Sequence, residues 1–386
     1  MQKDFHYYAT YCAAFLAGYA HDECMEICSS AQFVDLCSET LLGKIKAPVE
    51  AATTQLQLEL MDTRTDTAGL QNITRIWSSF HFLPYDLYAV RPKASKKYLD
   101  KYRLICNTNS DLLVKTVKLA KDNGTIHAGV AMHVLADTWA HRYFAGTPSF
   151  VINNTNFYFY ELVPGENGFT ERPVQFRHNP SAADDLENGI YTNCIAQDSE
   201  KTIMNLGHGR AGHLPDYSCV RYKYLPAWAD YNEIMKDNPS DYMNAFRQMI
   251  YALKYLRGVN EDFEKNIYDI EAVRPYESEI KAILEKRQLD ACEDWKRFGE
   301  KLSGKEIADF DDEQFQREYT EADNKAETFL GKFITAALAQ KGMVTYSIYN
   351  SGNRLAGNSS LKKRSVLDLR NIFRRSGKKH PGGDGR

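Results

Sequence analysis

One phrase in the sequence, AMHVLADTWAH, contains residue types that bind metal ions or transfer protons. It places His133, Asp137 and His141 at positions i, i+4 and i+8 of a predicted helix. Because a helix turns by about 100° per residue, side chains at this spacing share one face. Apolar residues surround them on nearly every side, so we expect the helix to be buried. Buried imidazole and carboxylate groups then need compensating partners.

Two kinds of partner suit this phrase. His133 and His141 are about 12 Å apart along the helix axis, too far to bind one ion together. Asp137 lies between them and has two oxygens, so it could bridge ions on either side. This reasoning predicts a site with more than one metal ion. The alternative is a buried hydrogen bond between histidine and aspartate within an ordinary helical core.

Three further phrases each place one ligand-type side chain among apolar neighbours. DFHYY contains His6 at the start of the first predicted helix, AQFVD contains Asp35 in the second, and FHFLPYD contains His81 between aromatic residues. Polar residues isolated in apolar segments are typical of functional sites, because their burial requires a partner.

The order of these phrases resembles that of the zinc-dependent phospholipases C and the fungal-type single-strand nucleases, which share an all-α fold with three zinc ions. The family phrase HF(Y)DPD is similar to residues 81–86, and its phrase ALHxLxDxxxPxH is similar to residues 131–141. Together with GHGRAGHLPDY, the pattern resembles a bacterial branch of that superfamily over about residues 4–220. The resemblance implies hydrolysis of a phosphodiester by metal-activated water.

The resemblance also implies two or three zinc ions and assigns their ligands. The first ion would be held by Asp35, His81, His133 and Asp137, the second by His6 with Asp137, and the third by His141 with His208 and His213. Asp35 would in addition be the candidate catalytic base, because a carboxylate that touches the attacking water can accept its proton.

Two features depart from the family pattern. The family closes its third site with His-x-x-x-Glu, whereas four residues separate His208 from His213 in a Gly-rich loop. That loop could instead contact a substrate phosphate through Arg210, whose planar fork of donors suits phosphate. Secreted family members also use the amino group of residue 1 as a ligand. If Met1 cannot reach the site here, Asp4 would have to replace that amine.

Hydrophobic periodicity predicts a mostly α-helical, phospholipase C-like domain over residues 1–350, with a small β-hairpin insertion at about residues 147–182. The turn of that hairpin is predicted at the NNTN stretch, residues 153–156. Predicted helices cover residues 6–18, 22–42, 111–123, 127–143, 241–257 and about 311–342.

Charge divides the chain into an acidic body and a basic tail. Residues 351–386 carry a net charge of +8, and residues 1–350 carry −11. Residues 361–379 have apolar positions along one helical face with Lys and Arg beside them, a pattern for an anionic membrane surface or nucleic acid. A solvated tail with no specific partner is the alternative. The chain has neither a membrane-spanning segment nor a signal-peptide pattern, which predicts a cytoplasmic protein.

The leading hypothesis is therefore a zinc-dependent phosphodiester hydrolase whose substrate is a phospholipid or a single-stranded nucleic acid. The alternative is a non-catalytic helical binding or effector protein with structural metal, acting through its basic tail. A third possibility is a single-metal hydrolase of another chemistry, such as amide cleavage. The number of bound ions separates the third possibility from the first.

Overall fold

A computed structural model of the chain describes residues 1–56, 58–60, 67–166, 168–177, 182–193 and 208–357. It confirms the prediction of a mostly α-helical protein with a small amount of β structure. No helix within these residues is both long and apolar enough to cross a membrane. The predicted surface helix at residues 361–379, like the rest of the basic tail beyond residue 357, lies outside the described residues.

Helices form most of the described structure. A π-helical segment, Asp4–Ala9, leads directly into the first α-helix. The α-helices in chain order are α1 Thr10–Leu16, α2 His21–Phe33, α3 Glu39–Lys44, α4 Thr67–Phe80, α5 Lys96–Tyr102, α6 Asp111–Ala120, α7 Thr125–Ala140, α8 Phe150–Asn153, α9 Asn238–Leu256, α10 Ile270–Val273, α11 Glu277–Glu285, α12 Cys292–Ser303, α13 Asp312–Glu321 and α14 Phe329–Asn350.

Helix α7 lies at the centre of the helical body. Every residue from 128 to 140 is buried, because α7 packs against α2, α6, α9 and α14. A helix that is apolar on all sides is stable only within a protein core, which explains this central position. The few polar side chains of α7 must therefore find partners inside the protein.

Two of the predicted helices are each divided in two. Ser38 caps α3, so the predicted helix at 22–42 is interrupted by a turn that contains Asp35. Thr328 likewise caps α14 and separates it from α13 within the predicted helix at 311–342. Both side-chain oxygens accept a hydrogen bond from a backbone N–H of the first turn, which favours a new helix start at these positions.

The β structure extends further along the chain than residues 147–182. Its strands are β1 Phe159–Gly165, β2 Gly168–Pro173, β3 Gln175–Arg177, β4 Ile190–Thr192, β5 Arg221–Tyr224 and β6 Ile234–Asp237. Four of them form an antiparallel sheet in the order β2-β1-β5-β6, in which Tyr160 of β1 lies opposite Pro173 of β2 and Lys223 of β5. Strands β3 and β4 form a separate parallel pair.

The predicted hairpin turn at residues 153–156 is wrong. Residues 150–153, which end at the first residue of the predicted turn, form the short helix α8, and the hairpin instead joins β1 to β2. The side chain of Asn153 is buried and pairs with the backbone N–H and C=O of Ala145. This pairing holds the segment against the protein interior, so it does not form a strand.

Aromatic side chains from the sheet form a second apolar cluster beside the helical core. Phe159 and Tyr224 pack there with Phe82 and Phe144. Phe82 directly follows His81 in the chain, and its ring stacks on His141 with centroids 4.8 Å apart. The sheet therefore covers one side of the region in which the polar residues of α7 lie.

Candidate metal centre

A glycine holds His133 and Asp137 of α7 close to α2. A Cβ added at Gly129 would lie 2.3 Å from the backbone oxygen of Ile27, so only glycine permits this separation of the two helices. The close approach brings the end of α2 beside His133, whose Nδ1 lies 2.9 Å from the backbone oxygen of Ala31. Asp35 follows in the next turn of the chain.

A buried lysine fixes the C-terminal end of α7. Lys236 Nζ donates to the backbone oxygen of Trp139 at 2.8 Å and to Asp241 at 2.5 Å. Burial lowers the pKa of Lys236 to about 8, although Asp241 opposes that shift. This contact secures the last turn of the helix between Asp137 and His141.

His6 is presented by the π-helical segment, and Asp4 anchors that segment. One oxygen of Asp4 accepts from the backbone N–H of Phe5 at 2.7 Å, and the other accepts from that of Ala291 at 3.1 Å. Both carboxylate oxygens point to backbone donors, so Asp4 does not replace an amine in the site. The imidazole of His6 stacks on His133 with ring centroids 3.9 Å apart.

These elements bring nearly all of the sequence-predicted ligands together. Three sets of side chains each have ligand atoms within 4.8 Å of one another: His6, His133 and Asp137; Asp35, His81 and His133; and His141, His208 and Asp216. Residues that lie far apart in sequence therefore form one continuous group of imidazoles and carboxylates.

Asp137 faces two of these sets at once, through different oxygens. Its Oδ2 atom lies 3.1 Å from Nδ1 of His81 and 3.2 Å from Nε2 of His133. Its Oδ1 atom lies 3.1 Å from Nε2 of His6. A carboxylate arranged in this way can bridge two cations.

Backbone carbonyls determine the tautomers of four histidines. A carbonyl oxygen can only accept, so the ring nitrogen that faces it must carry the proton. The contacts are His133 Nδ1 to Ala31 at 2.9 Å, His141 Nδ1 to His81 at 2.8 Å, His208 Nδ1 to Gly212 at 2.9 Å and His81 Nε2 to Thr53 at 3.0 Å. In the neutral ring, the second nitrogen is then an acceptor.

The acceptor nitrogens point towards carboxylates. His133 Nε2 lies 3.9 Å from Asp35 in addition to its contact with Asp137. Burial lowers the pKa of His133 to about 4, and that of His208 likewise, so both rings are neutral at pH 7. Lone pairs of neutral imidazoles facing carboxylate oxygens repel one another unless a cation lies between them.

The spacing of the donor atoms fits a metal ion. Tetrahedral zinc with ligands at about 2.1 Å requires ligand atoms about 3.4 Å apart. The separations between imidazole nitrogens and oxygens of Asp35, Asp137 or Asp216 are 3.1–4.0 Å. Metal-ligating histidines also commonly donate their other N–H to a backbone carbonyl, as four of the rings do here. The residues present therefore could hold metal ions.

The three carboxylates differ in their environments. Burial alone would raise the pKa of Asp137, but His141 and the Met1 amino group outweigh it and hold that pKa well below its usual range. Asp216 shows the same balance, with His208 and the amine lowering its pKa. Burial dominates at Asp35 and raises its pKa, although 30% of its side chain is exposed.

The amino group of Met1 reaches the third set. Its nitrogen lies 3.0 Å from Asp137, 3.3 Å from Asp216 and 3.3 Å from Nε2 of His141. Burial would lower the pKa of this amine, but the two carboxylates outweigh it and raise the pKa to about 11. The sequence pattern leaves open whether Met1 reaches the site. In the structure it does, and its amino group supplies positive charge between Asp137 and Asp216.

The Gly-rich loop contributes one of the two expected histidines together with an aspartate. His208 lies 3.8 Å from Asp216, which sequence reasoning does not include among the ligands. His213 points elsewhere, with Nδ1 donating to Asp184 at 2.9 Å. Arg210 lies over the rings of Phe150 and Phe157, at 5.1 and 4.7 Å from their centroids.

The chain is thus a mostly helical protein with a buried group of histidines and aspartates that could bind metal. It belongs to a family of unknown function, DUF6765, whose family model matches residues 1–348. No curated protein and no solved structure matches the chain.

Proposed function

We propose that the protein is a zinc-dependent phosphodiester hydrolase, related to the phospholipases C and single-strand nucleases that its phrases resemble. The observation that carries this proposal is that the neutral imidazoles of His133 and His208 face carboxylates, His133 facing Asp35 and Asp137 and His208 facing Asp216. Cations between these atoms would remove the repulsion, and a mixed set of imidazole and carboxylate donors suits zinc.

The acceptor nitrogens and carboxylate oxygens of these residues decide which ligand would bind which of the proposed ions. His133 has one acceptor nitrogen, so it can bind only one ion, which we assign to the set of Asp35 and His81. His6 and the Oδ1 atom of Asp137 would hold the second ion. His141, His208 and Asp216 would hold the third. Bound zinc would lower the pKa of a coordinated water and offset charge on a phosphoryl group.

Asp35 is suited to the role of the base. Its side chain is the most exposed among the residues of the three sets, so water can reach it from outside. In the metal-free site burial raises the pKa of its carboxyl, whereas the pKa of Asp137 is lowered, so Asp35 takes up a proton more readily than Asp137. The carboxylate of Asp35 would accept the proton from the attacking water.

The charge of the loaded site favours an anionic substrate. Two zinc ions already carry more positive charge than the three carboxylates of the sets carry negative charge. Arg210, on the same loop as His208, would add a phosphate contact from its position over Phe150 and Phe157. A cytoplasmic location belongs to the same proposal and can be checked by cell fractionation.

Metal analysis and a hydrolysis assay test the proposal. Protein purified without chelator should contain about two or three zinc ions per chain, as three ligand sets of this chemistry require. It should cleave either phosphatidylcholine or single-stranded DNA, lose that activity in chelator and regain it with zinc. Fewer than one bound ion per chain would contradict the proposal.

The substitution Asp35→Asn tests whether hydrolysis can be lost while the protein remains folded. We expect hydrolysis to fall by more than about 100-fold, because the substitution removes both the base and one zinc ligand, while the circular dichroism spectrum is unchanged. Asp323→Asn is the matched control, since Asp323 is exposed and belongs to none of the three sets. A folded, zinc-loaded wild-type chain that cleaves neither substrate would favour the non-catalytic binding or effector role.

A further inference from the structure

An exposed apolar surface lies on the segment that follows His81. Tyr85, Tyr88 and Val90 are 50%, 67% and 82% exposed, whereas Leu87 between them is buried. The backbone of this segment is fixed at both ends. The N–H of Tyr85 donates to the backbone oxygen of Ile105 at 2.9 Å, and Arg103 Nε donates to that of Ala89 at 3.0 Å. The exposed side chains are therefore held on an ordered loop.

Further exposed apolar residues adjoin this loop on both sides. A groove of about 390 Å³ runs from Tyr85 and Tyr88 to Tyr346, and a second groove of about 680 Å³ runs from Arg91 to Val151 and Tyr231. Together they define what we call the docking face: Tyr85, Tyr88, Val90, Val151, Tyr231 and Tyr346, each at least 41% exposed.

Positive charge is concentrated at the same place. Residues 85–103 contain six Lys and Arg against two Asp, for a net charge of +4, whereas the other residues of 1–350 sum to −15. Lys93 and Lys97 are exposed beside the docking face. Lys96 is paired with Asp100 and Arg91 with Asp230, so attraction of an anionic partner depends on Lys93 and Lys97. A cationic region on an otherwise acidic body would attract an anionic partner to this face rather than to another.

We propose that the docking face binds the surface of membranes that contain anionic phospholipid. Tyrosines prefer the boundary between headgroups and acyl chains, and lysines beside them pair with anionic headgroups. The valines favour lipid over nucleic acid, because a valine side chain cannot stack on a base, whereas it can enter the apolar boundary of a bilayer. This proposal does not rest on the hydrolase, since no member of the docking face belongs to the three ligand sets.

Vesicle co-sedimentation of the full chain tests this inference. We expect binding to vesicles of phosphatidylcholine with phosphatidylserine, and weaker binding to phosphatidylcholine alone or at high salt. Val90→Asp and the pair Lys93→Glu, Lys97→Glu should each reduce binding by at least about fivefold. Matched controls are Val259→Asp, at a valine that is 61% exposed elsewhere, and the exposed pair Lys281→Glu, Lys305→Glu.

Three results would overturn the proposal. The first is no binding to either vesicle. The second is binding that the docking-face variants leave unchanged, which would assign it to another part of the chain, such as the basic tail. The third is binding of a single-stranded oligonucleotide that displaces the vesicles and is weakened by the same variants, which would make the face a nucleic-acid surface. Zinc content, measured on the same variants, should equal that of the wild type and reports separately on the hydrolase proposal.

Discussion

The Nδ1 atom of His81 lies 3.1 Å from the Oδ2 atom of Asp137, while the other ring nitrogen donates to the backbone oxygen of Thr53. In the neutral ring Nδ1 is an acceptor, so two acceptors then face each other between residues that are almost fully buried. Such a contact requires a positive charge, supplied either by a metal ion between the two atoms or by a proton on Nδ1. Because Asp137 also faces His6 through its second oxygen, it is the residue on which the largest part of the proposed centre depends.

Asp137→Asn should therefore remove metal. The amide has no charge and exposes an NH₂ group to one of the two sets that Asp137 faces, so we expect loss of at least one ion per chain. Zinc affinity should fall by more than about 10- to 100-fold, the range seen even for residues that only support ligands. Elemental analysis and zinc titration measure both quantities. Asp122→Asn is the control, at an exposed position with φ of 62° where asparagine is well tolerated. Unchanged zinc content in Asp137→Asn would contradict the bridging role.

The two histidines of the Gly-rich loop should respond differently to substitution. His208 faces Asp216 and His141, so His208→Ala should lower the number of bound ions. His213 donates to Asp184 and is 49% exposed on its side chain, so His213→Ala should leave the number of ions unchanged. Elemental analysis of the two variants side by side gives the comparison. The reverse order of effects would restore His213 as the ligand that the sequence pattern implies.

Removal of metal should make stability depend on pH. Burial lowers the pKa of His6, His133 and His208 from 6.5 to about 4. Between these values the unfolded chain binds more protons than the folded chain, so stability decreases as pH falls through this window. Three groups act in the opposite direction: burial raises the pKa of Asp4 to about 6 and also raises that of Asp35, and the hydrogen bond to Asp184 raises that of His213. We expect the large shifts of the three buried histidines to outweigh them. Urea denaturation in chelator should give a smaller free energy of unfolding at pH 5 than at pH 7. Equal or greater stability at pH 5 would be inconsistent with neutral, buried rings.

The close packing of α2 and α7 can be tested with two glycines. In Gly129→Ala the new Cβ would meet a backbone oxygen at 2.3 Å, so we expect a loss of about 1–3 kcal/mol in the free energy of unfolding. Gly43 lies in α3 with open space around it, and Gly43→Ala should stabilise the protein by about 0.5–1 kcal/mol. Urea denaturation of both variants at neutral pH checks the opposite signs. Zinc affinity should fall only in the first.

Much of the fold class follows from local patterns. The apolar surroundings of His133 and Asp137 require a buried helix, and the observed α7 is buried throughout. The ends of the helices are harder to predict from sequence. The apolar periodicity continues past Ser38 and Thr328, whereas in the structure these two residues cap the starts of α3 and α14. The hairpin turn lies later in the chain than the sequence predicts, because the buried side chain of Asn153 is hydrogen-bonded to the backbone of Ala145, a contact that forms only in the folded chain.

Local sequence alone determined that His133 and Asp137 share a helical face, because the helical repeat fixes that relationship within two turns. Only the tertiary structure decided that Asp216 rather than His213 faces His141, and that the Met1 amine lies beside both aspartates. These contacts span from 75 to more than 200 residues of chain. They depend on how the Gly-rich loop packs against α7 and the π-helical segment, which no spacing in the sequence specifies.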